Sequence, residues 1–312
     1  MIGEQHARAS ELAVVQAGVL GWYADRGRDL AFRRTADPWA ILVSEVMAQQ
    51  TQAARAAEAW TRFMAEFPTA SALAVASPAS VIRAWRGLGY NRRALALRAA
   101  AAAIVEEHGG RVPDTLDALL RLPGVGPYTA RAVLAIAFGQ PVAALDVNIR
   151  RVIGRAWFGD VPPAARELQT LADGLVPNGA AASWTHALMD IGAAFCRPRE
   201  PRCNACPLRD SCAFRAGSVA AERPETRSST PSAARPARPA RPAPPAVAFE
   251  RTNRWLRGRI LDRLRDAPDG TWVAFDDGIG AHEAPAVREA VAKLAAEGLV
   301  EAVGSQARLG LS

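Results

Sequence analysis

The sequence predicts an all-α domain of short helices, a proline-rich spacer and a small α+β module, over residues 1–220, 221–249 and 250–312. Apolar residues recur at helical spacing through the first two thirds, with almost no strand-like alternation. Seven prolines then fall between Pro224 and Pro245, in a run with hardly any large apolar side chains. Beyond that run, two helical stripes lead into one hairpin pattern.

Taken in order, helical periodicity covers Leu12 to Trp22, Trp39 to Met47, Val81 to Trp85, Leu95 to Val105, Ala132 to Phe138 and Leu188 to Phe195. Turns such as Gly109 to Asp114 separate these segments. The proline run cannot close a core, so it predicts an extended spacer and a first domain that stays soluble and active when residues 222–312 are removed. After the spacer, Leu256, Ile260 and Leu264 form one stripe and Val287, Val291 and Leu294 another. "LVEAVGSQARLGL" then reads as a hairpin turning near Gly304 and Ser305, which makes the module winged-helix-like.

Half of the residues are hydrophobic, as in a globular protein. No stretch approaches the roughly 18 apolar residues that span a bilayer, and "MIGEQHARAS" lacks the apolar core of a secretion signal. The expectation is a cytoplasmic protein with no membrane partner. The net charge is +7, of which +5 lies in residues 1–220, a balance that favours polyanionic partners such as nucleic acid. Lys293 is the only lysine among 38 basic residues, so residues 1–292 contain no amine side chain for a Schiff base.

"LPGVGPYTARAVLA", Leu122 to Ala135, reads as the hairpin of a helix, hairpin, helix unit. It lacks the Gly-Lys-Ser/Thr ending of a nucleotide phosphate loop, and no strand precedes it. Gly124 and Gly126 allow the sharp turn, and Pro127 suits the first position of the next helix. Backbone N–H groups at that helix start can grip one phosphate of a nucleic-acid backbone without a side-chain charge. A plain helical corner accounts for the same residues equally well.

Cys196, Cys203, Cys206 and Cys212 are spaced C-x6-C-x2-C-x5-C. In a cytoplasmic protein this argues for a metal site over disulfides, with zinc and an iron–sulfur cluster both open on spacing alone. Five arginines between Arg197 and Arg215 surround the loop, which favours a structural and DNA-docking role. Two carboxylates also stand out. Glu45 lies on an apolar helix face, where its protonated form is favoured, and Asp146 opens the helix "VNIRRVIGRAWFG". Taken singly, Asp146 serves equally as a helix cap and Glu45 as an exposed helix residue.

"SEVMAQQTQ", "GLGY", "LPGVGPYTA", "LDVN" and the cysteine loop, in this order, resemble the adenine DNA glycosylases of the MutY family. That family lies within the helix-hairpin-helix superfamily that also contains endonuclease III, and the likeness runs from about Trp22 to Cys212. The tail, with "RTNRWLRGRILDRL", is similar to the short tails of actinobacterial members. The resemblance implies a two-lobed helix-hairpin-helix glycosylase with a cysteine-ligated cluster loop at 196–212. Its substrate would be double-stranded DNA containing A·8-oxoguanine or A·G mispairs, acted on by a nucleoid-associated monomer. Adenine is flipped out and its bond to deoxyribose hydrolysed in base excision repair.

By the same resemblance, Glu45 protonates the purine and Asp146 stabilises the oxocarbenium-like sugar, while Tyr128 and Asn148 orient that site. Gln50 and Tyr90 wedge the base stack, Gly124 and Gly126 grip phosphate, and the four cysteines hold a [4Fe-4S] cluster. Arg33 and His186 fall at the base pocket. Tyr128 stands where endonuclease III-like relatives carry a nucleophilic lysine, which implies a monofunctional glycosylase. Three features depart from the pattern. Ala31-Phe32-Arg33 replaces Pro-Trp-Arg, His186 replaces a glutamate or glutamine, and about 60 residues after the spacer are too few for a NUDIX-like domain that reads 8-oxoguanine. A thymine or uracil mismatch glycosylase of the same superfamily, and a non-catalytic iron–sulfur DNA-binding module, are the rival readings.

Overall fold

The computed structural model describes residues 2–161, 163–222 and 248–310, so the expected spacer lies almost wholly outside the described residues. The helices in chain order are α1 (Ile2–Arg26), α2 (Pro38–Ala48), α3 (Ala53–Glu66), α4 (Ala70–Ala74), α5 (Pro78–Ala84), α6 (Arg92–His108) and α7 (Leu116–Arg121). They continue as α8 (Pro127–Ile136), α9 (Val147–Ile153), α10 (Ala165–Gly174), α11 (Ala181–Ala194), α12 (Ala213–Glu222), α13 (Asn253–Asp266) and α14 (Ala284–Ala296). Strands β1 (Val273–Ala274), β2 (Glu301–Val303) and β3 (Gln306–Arg308) follow, with short single-turn helices at Ala31–Arg33, Gly154–Phe158, Cys203–Ala205, Arg209–Ser211 and Phe249–Arg251. Among the described residues no helix is long and apolar enough to cross a membrane. Two compact units result, one of Met1–Ala76 with Arg93–Ala220, the other of Ser77–Arg92 with the described part of Ala221–Ser312.

In the first unit α11 packs on α1, α8 and α9, and α2 packs on α3 and α8. Helix α2 starts because Asp37 accepts from the backbone N–H groups of Trp39 (2.7 Å) and Ala40 (3.1 Å), with Pro38 at the first turn. A cap of this kind contributes about 1 kcal/mol. Every residue from Trp39 to Met47 is buried, so α2 is a central core helix rather than a surface helix with one apolar face. Ser44 satisfies its hydroxyl on the carbonyl of Ile41 (2.8 Å), and Glu45 is carried into the core with it. At the far end, Arg93 donates to the carbonyls of Val46 (2.7 Å) and Gln49 (2.6 Å), fixing the turn into Gln50.

The second unit contains the antiparallel sheet β1-β3-β2, with β2 and β3 turning at Gly304 (φ +59°) as the hairpin pattern predicts. The two-residue β1, pairing Val273 with Ala307, carries no sequence signal. Helix α13 packs on α14 and on α5. Buried Arg265 donates to the carbonyl of Ile82 (3.0 Å) and to Asn91 Oδ1 (2.7 Å), and the N–H of Ala79 donates to the carbonyl of Gly310 (2.9 Å). The tail therefore is not self-contained, contrary to the independence that the proline run predicts. Its core is shared with a segment lying some 180 residues earlier.

Candidate active site

Glu45 projects from the middle of α2, 8% exposed. Burial raises its pKa from 4.5 to about 7; the Tyr128 hydrogen bond and Arg33 act downward, Asp146 upward. Tyr128, at the start of α8, is raised well above the ordinary tyrosine value by burial and then by Glu45, so it stays a neutral hydroxyl. The structure thus brings Glu45, Tyr128, Asp146 and Arg33 within electrostatic reach of one another.

Asp146 is the N-cap of α9. Its Oδ1 accepts from the backbone N–H groups of Asn148 (2.9 Å) and Ile149 (2.6 Å), and its Oδ2 accepts from Asn148 Nδ2 (3.0 Å). Asn148 can donate this way only if its Oδ1 faces elsewhere, and Arg151 Nη2 donates to that oxygen (2.8 Å). The same Arg151 nitrogen donates to the carbonyl of Gly192 (2.9 Å), and its Nε donates to the carbonyl of Cys196. Gly192 is where α11 meets α9: a Cβ there would lie 2.6 Å from the Cβ of Asn148.

Arg33 is 6% exposed at its side chain and forms a two-pronged pair with Asp190, at 2.8 and 2.9 Å. Asp190, 3% exposed on α11, also accepts from the backbone N–H (2.9 Å) and Nε (2.7 Å) of Arg28. Despite its burial, Asp190 has a lowered pKa, because Arg33 and Arg28 bond to it. His186, one turn earlier on α11, is buried beside the ring of Tyr23 and pushed down to about 3 by burial and then by Arg33, so it is neutral. Asp190, Arg28, Arg151 and Gly192 were not singled out from the sequence. The one local signal was Asp190 at i+4 from His186, which puts both on one helix face.

Of the hairpin glycines, Gly124 adopts φ +77°, and a Cβ there would come within 2.9 Å of the Cβ of Ala96. Its backbone conformation and the close approach of Ala96 both require the lack of a side chain. Gly126 has extended backbone as the N-cap of α8 and open space around it, so packing does not account for it. Gln50 (φ +53°) and Tyr90 (φ +44°) are exposed non-glycine residues in the left-handed region, a conformation that costs roughly 1 kcal/mol or more. Gln50 belongs to the first unit and Tyr90 to the second.

The four cysteines line one cavity, together with Arg155 and Arg209. Arg155 Nη1 lies 3.7 Å from Cys196 Sγ. Burial and then the neighbouring thiols raise Cys203, while Cys206 is pushed up to about 11, chiefly by burial. Such thiols need a compensating cation to exist as thiolates. Among the described residues no three His, Cys, Asp or Glu side chains form a site for a single metal ion. Four thiols converging on one arginine-lined cavity are a donor set whose chemistry fits an iron–sulfur cluster or a zinc ion.

A helix, hairpin, helix unit beside a buried carboxylic acid and a helix-capping aspartate is an arrangement suited to acid-assisted bond cleavage in a bound nucleic acid. Consistent with this, the family model for "HhH-GPD superfamily base excision DNA repair protein" matches residues 43–178, from α2 to just beyond α10. The chain is 39% identical over 298 residues to an adenine DNA glycosylase of Mycolicibacterium smegmatis, covering 93% of this chain and 94% of the relative. It is 41% identical over 260 residues to an adenine DNA glycosylase of Mycobacterium tuberculosis, covering 81% and 79%. A solved thermostable thymine-DNA glycosylase superposes with TM-score 0.63 at 31% identity, over 68% of this chain and 99% of that one. The chain belongs to the adenine DNA glycosylase family, and it is a DNA glycosylase of base excision repair.

Proposed function

We propose that the protein extrudes adenine mispaired with 8-oxoguanine or guanine from duplex DNA and hydrolyses its N-glycosidic bond. The single observation that carries this reading is Glu45: a carboxyl with pKa about 7 inside a fully buried helix, bonded to Tyr128 and in the field of Asp146. Near neutral pH a large fraction of it is a neutral acid, ready to protonate a purine ring nitrogen. The glycosidic electron pair then leaves with the base. Positive charge develops on the sugar, where Asp146 stabilises it, and water adds to the anomeric carbon.

Asn148 holds Asp146 by its amide, Tyr128 orients Glu45, and no lysine stands within the first unit to divert the sugar into a Schiff base, which makes the enzyme monofunctional. Arg33, bound by Asp190, and neutral His186 form the base-pocket wall. Gln50 and Tyr90 enter the stack, and the N–H groups beside Gly124 and Gly126 hold a phosphate. Cys196, Cys203, Cys206 and Cys212 would hold a [4Fe-4S] cluster, whose contribution is to order an arginine-rich loop against DNA. The C-terminal helices and sheet make a winged-helix-like module, and the protein works as a nucleoid-associated monomer in the cytoplasm.

Single-turnover base release from A·8-oxoguanine, A·G and T·G duplexes tests the reading. Adenine release is expected. Base loss from T·G alone would transfer the protein to the mismatch glycosylases that its structural neighbour represents, and no release from any duplex would leave a non-catalytic DNA-binding module.

A further inference from the structure

The part of the second unit that surrounds Tyr90 points to a role for the tail. In this unit Arg83, Arg86, Arg257, Arg259, Arg265 and Arg308 each hold a carboxylate. Arg254, in the first turn of α13, like Arg251, Arg263 and Arg288 holds none among the described residues, and it is exposed. Its guanidinium carbon sits 5.0 Å from the ring centroid of Tyr90, itself 47% exposed. A guanidinium lying over a ring spends none of its N–H donors on an acceptor atom there and keeps them for an anion such as phosphate. The nearest acid in sequence, Glu250 four residues earlier, forms no ion pair with Arg254, and "RTNRWLRGR" itself contains no acid.

We propose that the C-terminal module is part of the duplex-binding surface, with Arg254, seated on Tyr90, contacting a backbone phosphate where the Gly87–Tyr90 turn meets DNA. This rests on the reading above in which Tyr90 enters the base stack. The tail then adds affinity that is blind to sequence, and it holds the wedge residue's ring from the outer side.

The test is equilibrium binding of the full-length protein to an A·8-oxoguanine duplex between 50 and 200 mM salt. One phosphate contact accounts for about 0.9 in the slope of log Kd against log salt, so the advantage of wild type over R254A should shrink about 3.5-fold across that range. R254Q should behave as R254A, R254K should keep the slope, and R259A, whose arginine is already paired with Asp262, should also keep it. A wild-type slope in both R254A and R254Q overturns the proposal, as does an equal loss in R259A. Adenine release by the wild type is measured on the same duplex. Release with unchanged R254A binding rejects the tail contact alone, whereas absence of release rejects the glycosylase reading.

Discussion

Replacing Glu45 with glutamine exchanges a titrating carboxyl for a neutral group of the same shape, and its consequences differ for stability and for activity. The pKa of Glu45 is about 7 in the folded protein against 4.5 for an unconstrained glutamate, so the folded state binds the proton more tightly. The stability from this preference is complete below pH 4.5 and is lost as pH rises through 7. A gap of about 2.5 pKa units corresponds to about 3 kcal/mol. Glutamine never ionises, so E45Q should match the wild type within about 1 kcal/mol at pH 5 and exceed it by about 3 kcal/mol at pH 8. Base excision should nevertheless fall by about 10²- to 10⁴-fold, the usual share of a general acid. Wild-type single-turnover rates should themselves drop about tenfold per pH unit above 7, as the acid form is depleted. Urea denaturation at the two pH values and excision on A·8-oxoguanine duplexes read both effects. A stability difference that ignores pH, or an E45Q enzyme that excises at wild-type speed, would refute the reasoning.

Four further outcomes are expected. D146N should keep the backbone cap of α9, since asparagine serves at that position as well as aspartate, but it replaces the acceptor of the Asn148 amide by a donor, costing about 1–3 kcal/mol, and should lose base excision; excision at wild-type speed would remove Asp146 from the chemistry. G192A should push α11 off α9 through Asn148, costing about 1–3 kcal/mol in denaturant titrations and lowering excision, whereas wild-type values in both would dismiss the close approach. D190A should destabilise by about 3–5 kcal/mol because Arg33 is left buried without its counter-charge, measurable as a lower urea midpoint. A chain ending at residue 220 should be less stable and aggregate, since Ser77–Arg92 loses its partners on α13; a truncated chain as soluble and heat-resistant as the whole would contradict the shared core.

The parts of the site legible in the sequence are those carried by short-range chemistry. The Gly124–Pro127 hairpin follows from turn residues and a helix-starting proline, the α9 start from an aspartate before an apolar run, and the cysteine loop from spacing. Helix α2 was legible as a helix but not as a helix buried on every side, because periodicity within one segment does not reveal how many neighbours will cover it. The Arg28, Arg33 and Asp190 network was invisible for a different reason: its bonds join positions 157 and 162 residues apart, and nothing local distinguishes these arginines among 37. The attachment of Arg265 to the segment around Ile82 was hidden in the same way, behind a proline run that looks like a clean break.

One physical cause gives the pocket its division of charge. Burial penalises ionisation of either sign, so it raises Glu45 and lowers His186, leaving both neutral near pH 7 in substantial part. Arg33 escapes neutralisation because Asp190 accompanies it into the core, and Asp190 is kept ionised by the two arginines in return. The result is a proton donor in the field of an arginine whose two terminal nitrogens are held by Asp190, while its buried Nε has no hydrogen-bond partner among the described residues. Arg33, already protonated and held by Asp190, acts on Glu45 through its field. Were Asp190 removed, the freed Arg33 would turn toward Glu45 and pull its pKa down. D190N should thus move the fall in excision rate to lower pH, an effect that mere loosening of the fold does not produce.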